Sequence, residues 1–202
     1  MSTCFEVYPT NDNIPEFSKI ISKAVSMFED FLKFHSIEKN ISTKVYAVHE
    51  DNIISTTEFI TVQENIYNTI EINQTGNIYL FYIKHDHFYN EMWNDEIKNN
   101  SRAKMLENSI LKNHQIGYSW DIKRTAGQPA IASLFYGFVA MALARETDGF
   151  IYSDDGAWSY ELFPTEWQNL YSEYFNTDSI KNYKIKSTVK NWINLLKISE
   201  LI

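Results

Sequence analysis

Phe17, Ile20, Ile21, Ala24, Phe28, Phe31 and Leu32, followed by His35, recur at i, i+3, i+4 and i+7. That spacing predicts an amphipathic helix, with Asn11–Asn13 as caps and Pro15 in its first turn. Phe5–Tyr8 ahead of it reads as a short strand stopped by Pro9. Behind it, 44–49, 53–62, 69–72 and 77–83 are rich in Ile, Val, Thr and Tyr and predict strands. The stretch 85–112 has weaker periodicity and predicts a loop with one helix starting near Ser101. Ile116, Tyr118, Trp120 and Ile122 alternate with polar or small residues, the period of a half-buried strand.

Pro129 opens the next helix and Gly149 follows its end. Between them, 130–144 is apolar on nearly every face, so this helix must be enclosed. Phe150–Ser153 reads as a strand, and Asp154-Asp155-Gly156 as a hairpin turn leading into a second strand over 157–163. Thr165 with Gln168 has the form of a capping box for a helix with one face lined by Phe163, Trp167, Leu170, Tyr171 and Tyr174. A last helix is expected from Ser187, carrying Val189, Trp192, Ile193 and Leu196. Strands in a run, with helices before, between and after, predict an α+β fold: a largely antiparallel sheet with packed helices and one central buried helix. No linker or repeat divides the chain, so residues 1–202 are expected to form a single domain.

Composition narrows the class. With 44% hydrophobic, 15% aromatic and 22% charged residues, the chain has an ordinary globular make-up. The single cysteine, Cys4, excludes an intramolecular disulfide framework. The N-terminus lacks the basic and apolar regions of a secretory signal, and the longest apolar stretch is too short for a bilayer. A soluble, cytoplasmic protein with no membrane partner is expected. The net charge of −8 argues against nucleic acid as a partner, because phosphate contacts need a basic footprint.

Fifteen Lys stand against three Arg, namely Arg102, Arg124 and Arg145. Scarce guanidinium groups suggest geometry that Lys cannot supply. Arg124, between a strand and the buried helix, is expected to play a structural role by pairing with a carboxylate or backbone carbonyls. Gly149 and Gly156 are expected to be structural as well.

His85, His87 and Glu91 are the one metal-like set, and could serve a small metal-dependent hydrolase with an open coordination position. Polar residues at a strand end explain them as well, and neither a metal nor a cofactor is expected. There is no phosphate-binding Gly-rich loop and no nucleophile elbow. The charge distribution is more informative. Residues 145–178 hold eight acids against one base, a net of −7, together with nine aromatic residues. Residues 179–202 hold five Lys against one Glu, a net of +4. Acids beside Trp and Tyr suit protein recognition, where rigid rings contribute contact area at small entropic cost. On this reading Asp154, Asp155, Trp158, Tyr160 and Glu161 are the candidate partner-binding residues.

Gly127-Gln128-Pro129 and the run Thr147-Asp148-Gly149-Phe150-Ile151-Tyr152-Ser153-Asp154-Asp155-Gly156-Ala157-Trp158 resemble the bacterial immunity proteins of polymorphic toxin systems. The pattern is nearest the immunity protein 52 family. The resemblance implies a non-enzymatic antidote that binds and blocks a cognate toxin, often a nuclease, and it supplies no catalytic residues. A basic toxin would complement the acidic segment.

Overall fold

The computed structural model describes residues 3–50, 52–55, 58–153 and 160–198, and only the main chain of Thr3, Ser55 and Tyr160. Its first helix, α1 (Phe17–Phe34), buries Phe17, Ile20, Ala24, Phe28, Phe31 and Leu32, the stripe that the sequence spacing draws. Its start differs from expectation. Glu16 is the extended residue before the helix and gives no side-chain cap. The entry is fixed instead by Glu16 bridging Phe59 and by Ile60 N donating to Pro15 O (3.3 Å).

Among the described residues, seven strands form one sheet: β1 (Thr3–Tyr8), β2 (Thr43–His49), β3 (Asn52–Ser55), β4 (Ile66–Ile72), β5 (Gly76–Lys84), β6 (Tyr118–Arg124) and β7 (Phe150–Tyr152). Their order is β3-β2-β4-β5-β6-β1-β7, and every neighbouring pair is antiparallel. The strand predicted over 53–62 is shorter. Among its described residues only those of β3 join the sheet, while Thr61 N donates to Asn68 Oδ1 (2.8 Å) and Thr61 O accepts from Trp120 Nε1 (3.0 Å).

The segment 85–112 departs most from prediction. It holds three helices, α2 (His87–Asn99), α3 (Ser101–Met105) and α4 (Glu107–Ile116). Asp86 caps α2 by accepting from Phe88 N (2.9 Å), and Asn100 caps α3. Each presents a narrow apolar face; Trp93, Ala103 and Ile110 carry the burial, so no wide stripe was available to read. Ile116 ends α4, and Gly117 at φ 78° turns the chain into β6, one step later than alternation suggests.

The enclosed helix is α5 (Ala130–Glu146), with fourteen consecutive buried residues from Ile131 to Ala144. It lies between the sheet and its neighbours α1 and α7 (Tyr183–Ile198). Phe138 sits among Phe28 (5.0 Å), Phe31 (5.4 Å) and Phe175 (5.0 Å), and Tyr136 stacks on Phe5 (4.9 Å). Beyond β7 the predicted second hairpin strand is not seen where the chain is described: Tyr160–Leu162 is a 3-10 turn. Residues 154–159, including Gly156, lie outside the described residues. Thr165 is not a helix cap either. It pairs with Ile151 through two backbone hydrogen bonds of 2.8 Å and so closes the β7 edge. Trp167–Leu170 (α6) then runs into a wider turn over Tyr171–Phe175. Helix α7 begins before Ser187 because Asn182 Oδ1 accepts from Lys184 N (3.0 Å) and Ile185 N (3.2 Å).

Candidate partner-binding surfaces

Of the residues expected to contact a partner, Asp154, Asp155 and Trp158 lie outside the described residues. Tyr160 opens the 3-10 turn, and Glu161 is exposed. Glu161 and Leu162 line a cleft of about 580 Å³ with Arg102, Ser172, Glu173, Ser179, Lys181 and Asn182. Inside it Arg102 grips Glu173 with both amino groups, at 2.6 and 3.0 Å, and also donates to Leu162 O (3.0 Å). This fork is the geometry that scarcity of Arg suggested. It ties α3 to the acidic segment and sets the position of Glu161.

Arg124 is buried, but its setting corrects the expectation. Its guanidinium lies between two rings, Tyr136 at 5.3 Å and Trp192 at 5.2 Å, and among the described residues neither a carboxylate nor a carbonyl pairs with it. A flat guanidinium, more weakly hydrated than an ammonium, can stack on both rings at once. Arg145 uses the same chemistry over Trp167 (5.0 Å). Gly149 is structural for a steric reason: a Cβ there would overlap the Tyr8 carbonyl oxygen and lie 3.0 Å from Thr147 Oγ1.

The structure separates the metal-like set. His85 Nε2 lies 3.1 Å from Ser119 Oγ, and its ring stacks on Tyr89 at 4.2 Å. His87 is exposed at the first turn of α2, against Phe88, and Glu91 is exposed further along that helix. Among the described residues, the set of three acidic, Cys or His ligand atoms within 4.8 Å of one another is a different one, Cys4, Glu6 and Asp121.

That set comes from strand register. Cys4 faces Lys123 and Glu6 faces Asp121 across β1 and β6. Tyr8 Oη donates to Glu6 Oε2 (2.6 Å), and Lys123 Nζ lies 2.7 Å from Asp121 Oδ2. Burial drives Tyr8 well above its ordinary range, with the Glu6 charge adding to it. Burial alone would lower Lys123, but the Asp121 hydrogen bond and charge outweigh it and raise the ammonium. A phenol and an ammonium therefore already serve these carboxylates, and the group reads as a cross-strand charge network. Sequence could not assemble it, since β1 and β6 are far apart in the chain.

Burial, with the neighbouring His114 second, holds His85 down to about 4. Burial also lowers His35 and His114. A neutral folded imidazole beside an unfolded one titrating near 6.5 stabilises fully above that value, and the contribution falls as pH drops toward 4. Discounted for partial exposure, wild type should lose about 1–2 kcal/mol more than His85→Gln between about pH 7 and about pH 4.5. Urea melts across that range check it, and equal acid limbs in the two proteins would sink the assignment.

Compared with known proteins, the chain matches no family model, no curated protein and no solved structure. What the geometry defines is an α+β protein whose aromatic and acidic groups lie partly at the surface.

Proposed function

We propose that this chain is a non-enzymatic immunity protein that binds and neutralises a basic cognate toxin inside the cell that makes it. The observation that supports this most is the charge partition, with −7 over residues 145–178 against +4 over 179–202. Within the acidic part, exposed Glu161 stands at the mouth of a cleft whose Arg102–Glu173 pair is already satisfied. A toxin that acts on nucleic acid presents cationic groups to phosphates, and an acidic protein meets that surface with complementary potential. Asp154, Asp155, Trp158, Tyr160 and Glu161 form the proposed contact. The acidic groups steer encounter, while the rings supply desolvated area.

A toxin gene is expected immediately upstream of this one, and the test uses its product, with co-expression rescue and binding kinetics at two salt concentrations. Asp154→Ala with Asp155→Ala, and separately Glu161→Ala, should slow association by about tenfold at low salt and less at high salt. Lys184→Ala with Lys186→Ala, on the basic helix, should bind like wild type. Should the acidic variants protect normally while the lysine variants fail, the contact face lies elsewhere.

A further inference from the structure

The three arginines end in different surroundings. Arg102 has its fork filled by the Glu173 carboxylate at 2.6 and 3.0 Å, and Leu162 O takes a further bond at 3.0 Å. Arg145 is exposed, so water can serve its donors. Arg124 has neither arrangement. Only 9% of it is exposed, and its Nε is buried without an acceptor. Among the described residues no carboxylate forms an ion pair with it. A buried ion without a counter-charge is costly, and folded chains normally pair such a group.

The flanking rings offset part of that cost, and they also decide which approach stays open. Tyr136 of α5 lies 5.3 Å from Arg124 Cζ, and Trp192 of α7 lies 5.2 Å from it. With rings over its faces, the guanidinium can be reached only along its edge. There its N–H donors form a planar fork spaced for two oxygens. A carboxylate is planar and can enter in the plane of the fork, between the rings. Sulfate and phosphate are tetrahedral, so a two-point contact would push their other oxygens out of that plane toward the rings.

The fork is also held in place and lies in cationic surroundings. Arg124 ends β6 and is paired with Thr3 of β1. In the loop that follows, Gln128 Nε2 donates to Thr125 Oγ1 (2.8 Å) and Gln128 Oε1 accepts from Asn77 N (3.1 Å). A fork positioned in advance lowers the ordering cost of binding. Trp192 belongs to α7, which carries Lys184, Lys186, Lys190 and Lys197 and no acid. Among the described residues none of these lysines is in an ion pair. Although the chain carries −8 overall, the element beside Arg124 favours an anion.

We propose that Arg124, flanked by Tyr136 and Trp192, is a binding site for a single carboxylate group, carried by a small organic acid or by an acidic side chain of a peptide. The small exposure of Arg124 admits one functional group rather than an extended surface. The bound carboxylate takes the place that Glu173 occupies on Arg102. All three residues lie outside 145–178, so the site does not rest on the antidote reading.

The test is a titration of the full chain with sodium propionate, ionic strength being held constant with sodium chloride. The NMR signals of Arg124 Nε–H and the Trp192 indole N–H should shift and saturate, and sodium sulfate should leave them unmoved. Arg124→Lys keeps the charge but not the fork, and should weaken propionate by about tenfold or more. Arg124→Gln should abolish binding. Propionate should raise the melting temperature of the wild type and not that of Arg124→Gln. A capped tri-glutamate peptide then identifies the source. Saturation like that of propionate puts the carboxylate on a peptide, and silence beside a propionate response puts it on a small acid. A propionate response that never saturates, that persists unchanged in Arg124→Lys, or that sulfate matches overturns the inference. If neither variant folds, the wild-type comparison of propionate with sulfate decides alone.

Discussion

Replacing Phe138 by Ala should cost about 3–5 kcal/mol, measured as a shift in the urea midpoint with an unchanged slope. Phe138 is fully buried on α5 and touches rings from three directions: Phe28 and Phe31 on α1, Phe175 beyond α6, and Tyr171 at 6.3 Å. Removing it strips transfer energy and leaves a void walled by planar side chains that cannot collapse inward. The loss belongs at the upper end of the range because α5 is held on both sides, by the sheet and by α1 and α7. A change below half a kcal/mol, on the order of a surface substitution, would mean that α5 is not the centre of the core.

Gly149→Ala should destabilise by about 2–3 kcal/mol, a large effect for one methyl group. Gly149 N donates to Ala144 O (2.7 Å), ending α5, and the next residue enters β7. A Cβ at this point would overlap the carbonyl oxygen of Tyr8, a main-chain atom already positioned opposite Phe150 by strand register. A flexible side chain could swing away, whereas a strand carbonyl moves only with its ladder. The change should therefore loosen the pairing of β1 with β7, and hydrogen exchange should rise first at Tyr8, Phe150 and Tyr152, since the Ile151 amide is taken by Thr165 O on the other side of β7. Ala at 149 that leaves both stability and exchange unaltered would show that the close approach is relieved by local adjustment.

The stripe on α1 and the apolar run of α5 were legible because burial repeats with the helix period inside one element. Most strands were legible for the same reason at period two, and the match for β2, β4, β5 and β6 holds to within a few residues, whereas β3 ends at Ser55 and not at Val62. Helix α2 was not, since Trp93 is its only fully buried side chain and a single anchor makes no period. The helical cap at Thr165 failed differently: the pattern was present, but a strand edge claimed the same backbone groups. Propensity proposes, and an unpaired β7 edge outweighs it.

Local order in the chain determined that there would be a buried helix, an amphipathic helix and a series of strands forming an α+β fold. It could do so because each residue's burial is correlated with neighbours two, three or four positions away. Only the tertiary structure decided that β1 would enter between β6 and β7, bringing Cys4 to Lys123 and Glu6 to Asp121. It alone decided that Arg124 would lie between Tyr136 and Trp192, and that α2 would set Trp93 against Tyr8, Phe150 and Tyr152. Periodicity states that a side chain is covered, but the identity of the covering element depends on contacts between distant segments, and those leave no local pattern.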